Sequence, residues 1–200
     1  MRLPTTVAGF TWAVVALWVP SVIVVCAYLL GGHLLTLPKP AQADPRLARA
    51  LAALRAGEGR PRWIALHVLY EGCRCSRRVF DHLVARGASP AMAERVLLVG
   101  GSEASVARAR AAGYAAEALT RDGLRARYGF EAAPVMVVAD PRGRVRYLGG
   151  YTARKQGAAM RDVDIVRRAQ AGEAVAALPL FGCAVSARLQ RDTDPLGLRR

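Results

Sequence analysis

Four cysteines stand in this chain of 200 residues, and two of them enclose a single arginine in the run Gly72-Cys73-Arg74-Cys75-Ser76. An apolar run, residues 63–69, precedes this segment and reads as a buried strand. Residues 79–86 follow with a helical pattern, Val79, Leu83 and Val84 on the inner face and Gly87 at the end. The two thiols therefore fall at a strand-to-helix junction. There the free N–H groups and the positive end of the helix dipole favour thiolate over thiol, and Arg74, Arg77 and Arg78 add cationic charge within the same turn. The chemistry this arrangement serves is thiol exchange or the binding of a soft metal. Free cysteine is also among the most buried residue types, but the flanking arginines and glycine argue against inert packing.

The other two cysteines differ in setting. Cys26 lies within a long apolar segment and reads as packing. Cys183 sits in the run Phe181-Gly182-Cys183-Ala184-Val185-Ser186 near the C-terminus. Four cysteines are too few for a disulfide scaffold in a chain of this length, and Cys73, Cys75 and Cys183 make an odd set outside the apolar segment. In an oxidising compartment such a count invites exchange, metal binding or an intermolecular bond. His82 lies seven residues after Cys75, on the same helix face, so Cys73, Cys75 and His82 form a candidate set for Cu(I). His67, inside the apolar strand, reads as a core histidine.

The elements that position these residues follow an apolar N-terminal segment. Residues 7–30 carry no charge over about two dozen positions, long enough to span a hydrocarbon core of ~30 Å at ~1.5 Å per residue. They read as a transmembrane helix with Trp12, Trp18 and Tyr28 as aromatic anchors and Pro20 inside it. A cleaved signal peptide, with Arg2 as basic region and Ala41-Gln42-Ala43 as cleavage site, would need a shorter apolar stretch. Either reading exports the remainder. Arg2 opposes Lys39, Arg46 and Arg49 on the other flank, so charge bias leaves orientation open.

The formal net charge is +14. The arginines are scattered, with no aromatic-studded basic strand, so a nucleic-acid partner is not expected and a solvated basic surface near anionic lipid is.

Residues 38–62 read as a tether with one short helix: Asp44 as N-cap, Pro45 at the first helical position, Leu47, Leu51 and Leu54 on one face, Gly57 closing it. After the cysteine turn come a strand at 96–99, an Ala- and Arg-rich helix at 103–112, a weak strand at 114–118 and a short helix at 121–128. Strand, helix, strand, helix implies a parallel sheet in this half. Strands at 135–139 and 144–148 then flank Asp140-Pro141-Arg142-Gly143 as a β-hairpin. A closing helix at 162–171 is expected with Val163 and Val166 inward, and the polar, arginine-ended tail is expected to be mobile.

From residue 63 to 171, a βαβ half with cysteines at its first strand-to-helix turn, then a hairpin whose first strand follows proline, then a helix, resembles the thioredoxin fold. Ala133-Pro134-Val135 is similar to that family's cis-proline segment, which lies beside the redox cysteines and offers backbone hydrogen bonds to an extended substrate. The run from Ala139 to Val145 resembles membrane-tethered bacterial members, thiol-disulfide oxidoreductases of cytochrome maturation and envelope disulfide reduction. The resemblance implies a three-layer α/β sandwich with a mixed central sheet, preceded by one transmembrane helix. It also implies a C-terminal domain in the periplasm, anchored in the inner membrane, and protein thiols or disulfides of the cell envelope as partners. Domain limits are then 1–37 for the anchor, 38–62 for the tether, 63–175 for the thioredoxin-like domain and 176–200 for the tail.

The departures are specific. The family's Cys-x-x-Cys is replaced by Cys-x-Cys, and positions two apart on a helix differ by ~200° in direction. If Cys73 takes the nucleophile's place, Ser76 occupies the resolving position and could donate to the thiolate, with Cys75 an extra thiol; if Cys75 resolves, Gly72 stands where the nucleophile would. The first alignment is preferred. No carboxylate lies on the strand before the motif, so Glu71 is the nearest substitute for the family's proton acceptor and Tyr70 for its aromatic residue. Cys183 could resolve a bond at Cys73 or Cys75, or staple the tail. No cofactor is required for this chemistry, copper being the alternative. A thiol peroxidase is disfavoured, because Val68-Leu69-Tyr70-Glu71-Gly72 lacks the expected proline and threonine. A non-enzymatic assembly factor keeping the fold is the remaining reading.

Overall fold

The computed structural model describes residues 5–34, 36–155, 157 and 159–194. The chain divides into two compact units, Met1–Leu35 and Thr36–Arg200. In the first, helix α1 spans Thr5–Leu34 with Pro20 inside it. Its stretch Gly9–Tyr28 is long and apolar enough to cross a membrane, and Phe10, Trp12, Leu17, Trp18 and Ile23 all stand exposed. A helix apolar on every side has the pattern of one enclosed all round, by a core or by lipid.

The second unit is a three-layer α/β sandwich. Its sheet has the order β3-β2-β1-β5-β6, built from β1 (Ile64–Tyr70), β2 (Ala93–Val99), β3 (Ala115–Leu119), β5 (Val135–Ala139) and β6 (Val145–Gly149). β1, β2 and β3 run parallel, whereas β5 is antiparallel to both β1 and β6. The apolar centre of β1 is buried on both faces, as its sequence of near-continuous hydrophobic residues requires.

Each face carries its own core. On one, Leu69, Val96, Leu98 and Met136 pack against α3 (Arg74–Arg86), α4 (Glu103–Ala111) and α6 (Asp162–Gln170) through Val79, Leu83, Val106 and Ile165. On the other, Leu66, Val68, Leu97 and Val137 meet α2 (Pro45–Ala56) and α5 (Arg121–Tyr128) through Leu47, Leu51, Leu124 and Tyr128. A second, two-stranded sheet pairs β4 (Ala132–Ala133) with β7 (Cys183–Ala184), and α7 (Ala187–Thr193) follows.

Three expectations are corrected. Residues 38–62 hold the expected short helix, Asp44 capping α2 by accepting from Arg46 N–H, but they are packed rather than a tether, since Leu47 and Leu51 are 0% and 1% exposed within the core. Just upstream, Leu37 N–H donates to Leu180 O at 3.0 Å. The polar segment after Ser186 is also held where it is described, because it forms α7 with Ser186 as its cap and Leu189 buried in the same core as Leu180 and Val185. Last, Val163 points outward at 60% exposed while Asp162 is buried. The stripe on α6 is rotated because Asp162 has charged partners inside, described below. Residues 195–200, the arginine end of the tail, lie outside the described residues.

Candidate functional site

β1 ends at Tyr70, whose carbonyl accepts from Cys73 N–H at 3.0 Å and closes a turn. Cys73 is then the N-cap of α3, with extended backbone (φ −108°, ψ 121°), and its carbonyl accepts from Arg77 N–H at 2.9 Å. The sulfur thus sits where the first N–H groups of α3 are unpaired. No acidic residue occupies the helix's first turn. Cys73 forms a disulfide with Cys183, 110 residues away, with the Cα atoms 5.9 Å apart. Cys73 is fully buried and Cys183 half-buried.

Cys75 is a half-buried thiol that faces a small cleft together with Arg78, Pro134, Tyr151, Met160 and Phe181. Ser76 is 1% exposed, and its hydroxyl has no hydrogen-bond partner among the described residues. Cys73 thus caps α3 with Ser76 enclosed in the helix's first turn, and its bond goes to Cys183 in the tail rather than to Cys75.

The Ala133–Pro134 peptide is cis. Just before it, Ala132 pairs with Ala184 and Ala133 with Cys183 in an antiparallel ladder, and Val185 N–H donates to Glu131 O at 2.7 Å. The approach is backbone against backbone. A Cβ on Gly182 would lie 1.9 Å from Ala133 O and 2.5 Å from Pro134 Cδ, and one on Gly150 would lie 2.0 Å from Pro179 O. Glycine at both positions lets the tail lie flat against the sheet.

Glu71 is committed elsewhere. Its carboxylate accepts from Ser102 N–H at 2.8 Å and from the hydroxyls of Ser102 and Ser105. The Ser105 hydroxyl, followed by Ser102, holds its pKa below the usual carboxylate range. It ties the cysteine turn to the start of α4, and it is correspondingly less available as a proton acceptor. The Tyr70 hydroxyl meets the Arg121 guanidinium, which also stacks 5.2 Å from the Tyr70 ring centre.

Under α3 lies a buried charged cluster that sequence reading missed. Arg86 bridges Glu94 at 2.8 Å and Asp162 at 2.8 Å, both carboxylates almost fully enclosed. His82 Nε2 meets Asp162 Oδ1 at 2.9 Å. His67 Nδ1 shares a hydrogen bond of 2.8 Å with the Tyr151 hydroxyl, and its Nε2 faces Glu94 Oε1 at 3.8 Å. Burial pushes Glu94 up, but His67 and the Arg86 guanidinium outweigh it and hold the carboxyl at about 2. Burial drives the Tyr151 phenol well above its ordinary range, with Asp162 adding to it. The signal available in the sequence was a charge inside an apolar run, His67 in 63–69 and Glu94 next to 96–99.

Cys73, Cys75, Ser76, Pro134 and Cys183 are brought to one place, whereas His82 turns to Asp162. Among the described residues no group of three or more His, Cys, Asp or Glu side chains is placed to hold a metal ion. A set made of Cys73, Cys75 and His82 would require Cys73 and His82 both to leave their present partners.

No family model matches the sequence, and no curated protein matches it. Among solved structures the chain is similar to a hypothetical protein from Sinorhizobium meliloti 1021, at TM-score 0.53 and 16% identity over 68% of this chain and 85% of that one. A weaker likeness joins it to an uncharacterized conserved protein from Geobacillus kaustophilus, at TM-score 0.48 and 13% identity over 63% of this chain and 77% of that one. At such identity the first likeness speaks for the fold alone.

Proposed function

We propose that this chain is a thioredoxin-like, membrane-anchored thiol-disulfide oxidoreductase of the bacterial envelope, with its C-terminal unit in the periplasm and protein thiols or disulfides as partners. The observation that carries the reading is the Cys73–Cys183 disulfide, with one sulfur at the N-cap of α3 and the other on a strand paired beside cis-Pro134. Cys73 is enclosed, so an incoming thiolate attacks Cys183, the half-exposed sulfur. Cys73 leaves as a thiolate at the helix N-terminus, where dipole and N–H groups favour it, and a good leaving thiolate speeds exchange. A second thiol of the partner displaces Cys183 from the mixed disulfide. The balance is two partner thiols and the protein disulfide going to one partner disulfide and two protein thiols. The reverse direction uses the same bonds. Cys75, free and beside the same cleft, is the alternative resolving thiol of this reading.

The test is intact mass after alkylation of the full chain in detergent, equilibrated across thiol redox buffers. The expected result is two alkylated cysteines at oxidising potentials and four at reducing ones, with a reversible midpoint within about −120 to −270 mV. Peptide mapping should assign the protected pair to Cys73 and Cys183, and Cys75→Ser should leave the midpoint in place. A count that never changes across the series would end this reading.

A further inference from the structure

Leu180 and Val185 are 1% and 0% exposed and anchor the tail in the core, yet each of the four residues between them is only half-buried. This short span supplies Cys183 and Ala184 to the ladder with β4, bonds Cys73, and places Phe181 in the cleft beside Cys75 and Pro134. Gly182, inside it, has no room for a Cβ against Ala133 O. An extended backbone on a strand edge, a sulfur delivered to a cysteine and a bare position at the closest approach are what a bound cysteine peptide would present. Here the chain presents them to itself.

Building on the oxidoreductase reading above, we propose that residues 181–184 are a strap that occupies the site's own peptide-binding edge, and that the disulfide decides whether an outside peptide takes its place. In the oxidised chain the strap is locked and Cys73 is sealed. After reduction by a partner dithiol, the strap stays seated most of the time but is free to bow out between its two buried anchors, and each opening uncovers Cys73. The Cys73 thiolate then attacks an external disulfide R–S–S–R′, forming Cys73–S–S–R and releasing R′–S⁻. The strap closes again, the Cys183 thiolate attacks the Cys73 sulfur, and R–S⁻ leaves as Cys73–S–S–Cys183 re-forms. The external disulfide is thereby reduced by two electrons that came from the partner dithiol. The strap also names the segment the edge accepts: extended, with glycine immediately before the cysteine, since any side chain there meets Ala133 O and Pro134 Cδ, and an aromatic residue before that glycine.

The experiment uses the reduced full chain in detergent and two synthetic peptides, Phe-Gly-Cys-Ala and Phe-Ala-Cys-Ala, each activated as a mixed disulfide with nitrothiobenzoate. The glycine peptide should form its adduct on Cys73 at least ten times faster than the alanine peptide. With N-ethylmaleimide, Cys73 of the reduced Gly182→Ala chain, whose strap cannot seat, should react at least ten times faster than Cys73 of the reduced parent. The far-ultraviolet spectrum of reduced Gly182→Ala should match that of the reduced parent, which separates an unseated strap from a folding defect. Equal rates for the two peptides, or an unchanged Cys73 rate in Gly182→Ala, would overturn the strap. If the disulfide still titrates reversibly, only the strap fails; if it does not, the oxidoreductase reading fails with it.

Discussion

The Ser76 hydroxyl is enclosed and has no hydrogen-bond partner among the described residues while Cys73 is bonded to Cys183. An idle buried hydroxyl costs stability, whereas one that donates to a thiolate returns it. Ser76→Ala should therefore leave the oxidised chain as stable or up to about 1 kcal/mol more stable in urea. The reduced chain loses a donor, so the redox midpoint should move more negative by about 20–30 mV for each ~1 kcal/mol lost. A midpoint shifted the other way would deny Ser76 that role. Glu94 makes a second case. Folding lowers its pKa from the ordinary carboxylate value to about 2, so the unfolded chain binds this proton more tightly. Its contribution, of order 3 kcal/mol, is fully present above about pH 4.5 and lost as pH falls towards about 2. Urea midpoints across that window should fall in the parent and fall less in Glu94→Gln, whose side chain does not titrate. The motif around Cys73 was legible from residue types alone. The place of Glu94 and Asp162 was not, because a carboxylate in an apolar run reads as an edge until Arg86 is seen to meet both.

The elements that position the site were legible where a strand or helix carries its own pattern. β1, α4 and α5 begin and end within a residue of their expected limits, whereas α3 begins at Arg74, five residues before its expected start, and the turn at Asp140 is held by Gly143 N–H donating to Asp140 O at 2.8 Å. β4 and β7 were not legible, since two alanines and a Cys-Ala pair become strands only by finding each other across the fold. The disulfide that joins β7 to α3 closes a loop of 110 residues, and chain entropy then assigns it about 4–5 kcal/mol. Reduction should lower the unfolding free energy of the full chain by that order in urea, with the far-ultraviolet spectrum preserved below the transition. Loss of native spectrum on reduction alone would mean that the buried tail residues do not hold β7 in place. The N-terminal boundary matters as well. A chain starting at Asp44 lacks the contact of Leu37 with Leu180. It should be about 1–3 kcal/mol less stable than one starting at Thr36, on the scale of one buried leucine.

For the whole molecule, the contrast between the two units sets its handling. α1 exposes tryptophan, phenylalanine and branched aliphatic side chains, whereas the second unit encloses its own two cores. The full chain should sediment with membranes and resist high-salt washing, which removes proteins held by basic charge alone. A chain beginning at Thr36 should remain in the soluble fraction. Release of the full chain by salt would mean that its arginines, not α1, hold it to lipid.

Period and spacing by themselves determined the apolar helix, the order of strands and helices from α2 to α6 apart from β4, and the place of two thiols at the mouth of α3. All are local properties, since a helix face, a turn and a capped terminus depend on residues a few positions apart. Tertiary structure alone decided which sulfur bonds which. Cys75 is two residues from Cys73 and stays a free thiol, while Cys183 is 110 residues distant and bonds it. That choice rests on Leu180 and Val185 finding a core made by α2, α5 and the sheet, and on two glycines that let separate backbones touch. Burial and closeness of this kind join residues whose sequence distance carries no trace of it.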